Sequence, residues 1–246
     1  MPAMTSNGEV KMRSPRIAWV ESQVQKRYSG ARILDVGFVG RYPVPGLHLA
    51  LRRENSQAKV IGVDINVDQV LQCRLPGTVV ADAGFLAARD DSFDAVLCLE
   101  MLEHLLSPMA VLREFHRVLR PDGELMITTP NAWSWSNFMR HWMTGSLTSR
   151  AQRSVYRHYL GDADHKQFYD PLSLMSLLDY AGFEPVEVAS KNHAIPFLRR
   201  YSKSFELLDL QFYPMNRLGH YLCLIAKKAE TPNTEPKQSA GLATPA

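Results

Sequence analysis

Apolar runs that alternate with helical spacing, the early ones closed by an acid, constrain this chain more than any other feature. Val60 to Val63 and Ala95 to Leu99 are apolar throughout. A strand with one wet face alternates apolar and polar residues, so an unbroken run signals burial on both faces. A parallel sheet covered by helices on each side supplies that environment. Strand-like and helix-like segments alternate from about residue 16 to 190, which predicts a doubly wound α/β sheet.

The segments read in order as follows. "RIAWVESQVQKRY" has helical spacing, with Ile17, Val20 and Val24 on one face, and "ARILDVG" is a first strand. "PGLHLALRREN" is a helix with Pro45 near its first turn, "AKVIGVDI" a second strand and "VDQVLQC" a short helix. "GTVVADA" and "SFDAVLCLEM" are the third and fourth strands. "SPMAVLREFHRVLRPDG" is the clearest helix, with Met109, Leu112, Phe115, Val118 and Leu119 as its stripe and Pro121 and Gly123 ending it. "ELMITTPN" is a fifth strand, "PLSLMSLLDYAGF" a helix closed by Gly182, and "EPVEVAS" and "GHYLCLIAKK" the last two strands.

Two segments break this rhythm. Residues 131–165 form a long insertion carrying Trp133, Trp135 and Trp142, and from Asn131 to Leu160 it is basic without Asp or Glu. It reads as an inserted cap or lid, with a possible peripheral membrane contact through 131–160. The second is about 192–219. The expected domain plan is a flexible N-terminus over 1–14, a catalytic domain over 15–229 and a disordered tail over 230–246, the tail being rich in Pro, Thr, Ser and Ala.

Ligands of such sheets bind outside the carboxyl ends of the strands. Here the first four strands end at Asp35, Asp64, Asp82 and Glu100. One acid at a strand end is ordinarily a turn former or helix cap; four on one edge argue for a shared ligand. Asp64, 27 residues after Gly37, suits a pair of ribose hydroxyls, because one carboxylate accepts from both. Asp82 can accept from an exocyclic amine, and Asp35 can order the first loop beside a cationic ligand. Ribose, adenine and positive charge fit these acids; a pyrophosphate would be repelled.

The chain resembles a class I S-adenosylmethionine-dependent methyltransferase of the type 11 or type 23 group. The resemblance rests on "ILDVGFVG", "VIGVDI", "VVADA", "SFDAVLCLEMLEHL", "VLREFHRVLRPDGELMITTPN" and "QFYDPLSLMSLLDYAGFEPVEV", in family order over roughly residues 30 to 190. It implies a Rossmann-like seven-stranded sheet, order 3-2-1-4-5-7-6, with the last strand antiparallel. It also implies S-adenosyl-L-methionine as the cofactor. Asp35, Gly37, Phe38 and Gly40 would line its methionine side. Asp64 would take the ribose, Ile65 the adenine face, and Asp82 with Ala83 the adenine edge. Leu99 and Glu100 would face the sulfonium and the acceptor. The family loop reads D-x-G-x-G-x-G, whereas here Val39 stands at a glycine position and Gly40 follows one residue late. That departure questions how well the cofactor is held.

Methyl transfer is an in-line displacement for which the protein supplies alignment and, with a hydroxyl acceptor, a place for the proton. "LEMLEHL" offers Glu103 and His104 beside the expected methyl group, and His104 is the leading candidate base because imidazole titrates near neutrality. His165, opening "HKQFYD", is the second. His48 reads as a packing or capping residue. "EMLEH" also resembles ubiquinone-biosynthesis O-methyltransferases, in which this arrangement is linked to a divalent metal. Glu100, Glu103 and His104 are reasonable ligands for Mg²⁺ or Zn²⁺, although the primary expectation assigns no metal.

The expected activity is methylation of a small-molecule, lipid-like or glycan-like acceptor, at oxygen. Two rivals stand beside it: a non-catalytic binding protein on this scaffold, and an NAD-dependent dehydrogenase, which the absent G-x-G-x-x-G argues against. A net charge of +3 gives no bulk field that favours a nucleic acid. Cys73, Cys98 and Cys223 have no metal-ligand spacing and suit free thiols in a reducing cytoplasm. No apolar run reaches the ~18 residues needed to cross a bilayer, and the first residues lack a secretory pattern.

Overall fold

The computed structural model describes residues 14–39, 46–54, 57–138, 165–193, 210 and 215–229. The expected flexible N-terminus up to residue 13, Gly40, the greater part of the cap and the tail from 230 lie outside the described residues. Helix α1 (Pro15–Arg27) starts where Ser14 Oγ accepts from Ile17 N–H at 3.4 Å, with Pro15 in its first turn. Strand β1 (Arg32–Val36), helix α2 (Gly46–Glu54), strand β2 (Lys59–Asp64), helix α3 (Val67–Cys73) and strand β3 (Thr78–Val80) follow. Then come β4 (Phe93–Leu99), a 3₁₀ turn over Leu102–His104, α4 (Pro108–Val118) and β5 (Leu119–Pro130). The chain closes with α5 (Pro171–Tyr180), β6 (Phe183–Lys191) and β7 (Tyr221–Lys228).

The seven strands form one sheet in the order β3-β2-β1-β4-β5-β7-β6. The first five are mutually parallel, and β7 runs antiparallel to both β5 and β6. This is the expected topology. Adjacent residues of the central strands serve opposite faces. Ile33, Ala95, Leu97 and Met126 pack with Trp19, Val20 and Val24 of α1 and Leu51 of α2. Leu34, Val36, Val96, Cys98, Leu125 and Ile127 pack with Leu112 and Phe115 of α4 and Leu174 and Leu178 of α5. The continuous apolar runs are therefore the two cores read through one strand.

One boundary departs from expectation. The clearest helix ends at Val118, not at Pro121, and Leu119 is already extended, paired with Phe93. Pro121 disfavours helical geometry at Arg120 and removes a donor. The ladder then resumes at Ala95 with Glu124, leaving residues 120–123 as a bulge. Among the described residues, no helix is long and apolar enough to cross a membrane.

Parallel pairing is what places the acids together. Gly37 N–H donates to Val63 O, and Glu100 N–H to Thr128 O, both at 2.8 Å, so each chain leaves the sheet at one common edge. Asp64 stands opposite Val80 in register, two residues before Asp82.

Candidate active site

The edge divides into two halves. The first is built by the ends of β1, β2 and β3. Gly37 has φ +73, and a Cβ there would meet Met101 Cγ at 3.0 Å, so both conformation and space require glycine. Val39, the irregular loop position, turns its side chain into a small cluster with Phe38 and Val70. Its N–H donates to Asp64 Oδ2 at 3.2 Å, while Asp64 Oδ1 accepts from Asn66 N–H at 2.9 Å. The non-glycine residue is thus accommodated by burial of its side chain. Asp82 Oδ1 accepts from Gly84 N–H at 2.8 Å, and Ala83 is partly buried against the core. Ile65 is 69% exposed at the mouth of this half, and Phe85 is exposed as well.

Asp35 does not open onto the edge. It is buried, with Oδ2 2.9 Å from His48 Nδ1. Desolvation raises its carboxyl above the usual range, with the His48 hydrogen bond opposing. His48, read from the sequence as a packing residue, is almost wholly buried against Phe38, ring centroids 4.8 Å apart. Its ring lies over Gly62, where a Cβ would sit 3.0 Å from His48 Cε1 and 2.9 Å from Phe38 Cδ1. Asp35 therefore orders the loop from beneath through a histidine on α2.

The second half is built by the ends of β4 and β5 and by residues 165–169. Leu99 is partly buried. Glu100 takes a left-handed φ of +56, which turns the chain out of β4. Glu103 is only 2% exposed. Its Oε2 accepts from the Thr129 hydroxyl at 3.0 Å, while Oε1 is buried without a hydrogen-bond partner. Its backbone carbonyl accepts from Lys166 N–H at 2.7 Å and Gln167 N–H at 3.0 Å. Those two bonds carry His165 beside His104, with ring centroids 4.9 Å apart at 63°. Ligand atoms of Glu103, His104 and His165 all lie within 4.8 Å of one another.

Burial, reinforced by the Glu100 charge, pushes the Glu103 carboxyl up to about 8, so it holds a proton readily near neutrality. Burial also raises Glu100, against the opposing pull of Arg16 and the Thr128 hydroxyl. One carboxylate and two imidazoles can relay a proton or hold a divalent cation.

The structure brings Glu103, His104 and His165 together as candidates, with His165 completing the trio in place of Glu100. Glu100 is instead drawn toward Arg16, its Oε1 3.7 Å from Nη1. Arg16, Thr128 and Thr129 carry no sequence signal for this site: Arg16 is 112 residues from Thr128, and Thr129 is an ordinary strand residue until its partner is known.

A family model described as "Methyltransferase domain" matches residues 12–188. The ubiquinone biosynthesis O-methyltransferase of Idiomarina loihiensis is 26% identical over 187 residues, 72% of this chain and 71% of that protein. The enzyme of the same name from Xanthomonas oryzae pv. oryzae is 37% identical over 112 residues, 42% of this chain and 44% of its own length. A crystal structure from Thermotoga maritima, described as a possible histamine N-methyltransferase, superimposes with a TM-score of 0.59 at 19% identity. That superposition covers 86% of this chain and 89% of the other, and it speaks to the fold.

Proposed function

We propose, for a chain that belongs to the methyltransferase-domain family and is a class I S-adenosylmethionine-dependent methyltransferase, that it methylates a hydroxyl oxygen of a small, lipid-like acceptor, and that the reaction takes place at the second half of the edge. The observation that carries this reading is the convergence of Glu103, His104 and His165 on one spot. Relatives named ubiquinone biosynthesis O-methyltransferases support the choice of oxygen and of an apolar, quinone-precursor-like acceptor. Exposed Trp133, Phe138 and Phe168 support an apolar approach to the site.

In this reading Asp64 takes the ribose hydroxyls, Ile65 covers an adenine face, and Asp82 with Ala83 takes the adenine edge. Gly37 and Phe38 pass along the methionine side, and Leu99 and Glu100 face the sulfonium and the acceptor. The acceptor hydroxyl lies in line with the methyl group. The methyl carbon forms its bond to oxygen as its bond to sulfur breaks, leaving neutral S-adenosylhomocysteine. The hydroxyl proton passes to His104 or His165, a step worth on the order of 10²–10⁴-fold.

The same residues suit a divalent cation. Glu103 Oε1 is buried with no hydrogen bond, and a carboxylate with two imidazoles is a donor set typical of zinc-like ions. Glu103, His104 and His165 would hold it, and such an ion would lower the pKa of the acceptor hydroxyl. The buried free thiol of Cys98 suits a reducing cytoplasm as the place of action.

The test is incubation of the purified protein with methyl-labelled S-adenosylmethionine and polyprenylated or short-chain phenols, read by mass spectrometry. Label on a phenolic oxygen, lost on chelation and restored by zinc or magnesium, is expected. Label appearing on nitrogen or carbon acceptors alone would reject the oxygen assignment.

A further inference from the structure

The sheet ends on one side at β3, and among the described residues nothing pairs with its outer side. Gly62 N–H donates to Gly77 O at 3.0 Å and Ala81 N–H to Asp64 O at 3.1 Å, so residues 77 and 81 turn these groups toward β2. A strand alternates with a period of two. Val79 therefore joins them, and the N–H and C=O of Thr78 and Val80 face outward. Such an edge is a template for another strand, and proteins ordinarily guard it with charge or proline. Here it carries valines: Val79 is 47% exposed, and Val80 is exposed beside it. Helix α3 extends this apolar surface. Its Val70 and Cys73 turn to Phe38 and Val39. Val67 and Leu71 stand one turn apart on the other flank, both exposed, Leu71 by 65%.

Charge decides what covers this surface. As a crossover helix, α3 runs against the strands it joins. Its Arg74 end therefore lies beside the start of β3, where Arg52 donates to Pro76 O. Its Asp68 end lies beside the finish of β3, where Asp82 is exposed. Arg74 and Asp68 are both exposed, and neither has an ion-pair partner among the described residues. A partner of one charge would suit one end and be repelled by the other. A second copy lying parallel would set Arg74 against Arg74 and Asp68 against Asp68. A copy related by a two-fold axis reverses the strand, and each Arg74 then faces the acids of the other copy.

We propose that β3 and α3 form the interface of a homodimer whose two-fold axis passes through Val79. In that register Thr78 of each copy exchanges N–H···O=C bonds with Val80 of the other, which satisfies every outward group of both strands. Val79, in register with Val63, meets its counterpart on the α4 face of the sheet. Val67 and Leu71 of the two α3 helices meet on the opposite face. The two sheets become one, and their carboxyl edges point in opposite directions, each open to its own acceptor.

The test is sedimentation equilibrium of the full chain over roughly 1–300 µM. The mass is expected to rise from 27.8 kDa toward twice that value, with a micromolar dissociation constant. Leu71→Lys places two ammonium groups near the axis and is expected to weaken association on the order of 100-fold, with Tm and S-adenosylmethionine binding kept. Charge reversal gives a readout that does not depend on how well Leu71→Lys folds. Arg74→Asp and Asp68→Arg should each weaken self-association roughly tenfold, because like charges then meet twice across the axis. An equimolar mixture of those two variants should associate as the wild type does, since opposite charges face each other again. A mass that stays at 27.8 kDa over the whole range would overturn the interface. So would association unchanged by Leu71→Lys, or a mixture no tighter than its components.

Discussion

The two halves of the carboxyl edge solve opposite problems. In the first, the acids at the strand ends already accept local backbone N–H groups: Asp64 from Val39 and Asn66, Asp82 from Gly84. In the second, side chains from distant segments meet and leave more buried atoms unmet, Glu103 Oε1, Glu100 Oε1 and Arg16 Nε among them, against His48 Nε2 in the first. The first half is a preformed cradle whose shape is set by the chain near it. The second is a high-energy arrangement, since an unpaired buried polar atom costs about 1–3 kcal/mol and more when charged. In the proposed function the cradle holds the cofactor, and the transfer falls where that cost is carried.

The sharpest way to break this contrast is to strike the cradle from below. Gly62→Ala would place a methyl group 2.9 Å from Phe38 and 3.0 Å from His48. Neither ring can yield freely, because His48 is bonded to Asp35. A loss of about 1–3 kcal/mol is expected from overpacking, seen as a lower Tm together with weaker cofactor binding. An unchanged Tm would mean that the loop is not supported through His48.

Next in size is Thr129→Val, which removes the only hydrogen bond described for the Glu103 carboxylate while keeping the shape. Turnover is expected to fall roughly tenfold, with cofactor Kd unchanged and Thr129→Ser restoring activity. Equal behaviour of the valine and serine variants would show that Glu103 needs no orientation from β5.

The smallest effect concerns the loop that carries Asp82 away from β3. Glu114 on α4 accepts from Leu86 N–H at 2.8 Å and from Arg117 Nε at 2.9 Å. Those bonds, the Arg117 one first, hold its carboxyl below the usual range. A lowered folded pKa contributes stability above the unfolded pKa of about 4.5 and loses it as pH falls through the folded value. Glu114→Gln should therefore lower stability at pH 7 by less than about 1 kcal/mol for a solvent-screened, partly buried ion pair, seen as a lower Tm, and match the wild type in acid. A deficit that persists in acid would assign Glu114 a role in packing.

How much of this was legible in the sequence follows the same division. Asp64 and Asp82 could be read because their neighbours in the chain fix them. The strand order and the antiparallel last strand followed from resemblance and from runs such as Ala95 to Leu99. The role of His48 lay only 13 residues from Asp35, yet nothing in the helical spacing said that its ring passes under the loop. The second half was half-legible. Glu103, His104 and His165 were named, but their meeting depends on two N–H groups from Lys166 and Gln167 reaching the Glu103 carbonyl. Arg16 escaped notice because its partners, Thr128 and Glu100, are brought to it only by the finished sheet. The early end of α4 escaped because Leu119 fits a helical stripe as well as a strand, and its pairing with Phe93 settles the choice.

The central claim is that one half of the edge binds the cofactor and the other performs the transfer. Asp64→Ala and Glu103→Gln, compared by calorimetric titration with S-adenosylmethionine and by turnover, test it most directly. Asp64→Ala is expected to weaken cofactor binding on the order of 10–100-fold, the loss of charge-assisted hydrogen bonds to ribose. Glu103→Gln is expected to bind S-adenosylmethionine as the wild type does while turnover falls on the order of 10²-fold or more. Cofactor binding lost in Glu103→Gln and kept in Asp64→Ala would contradict the account.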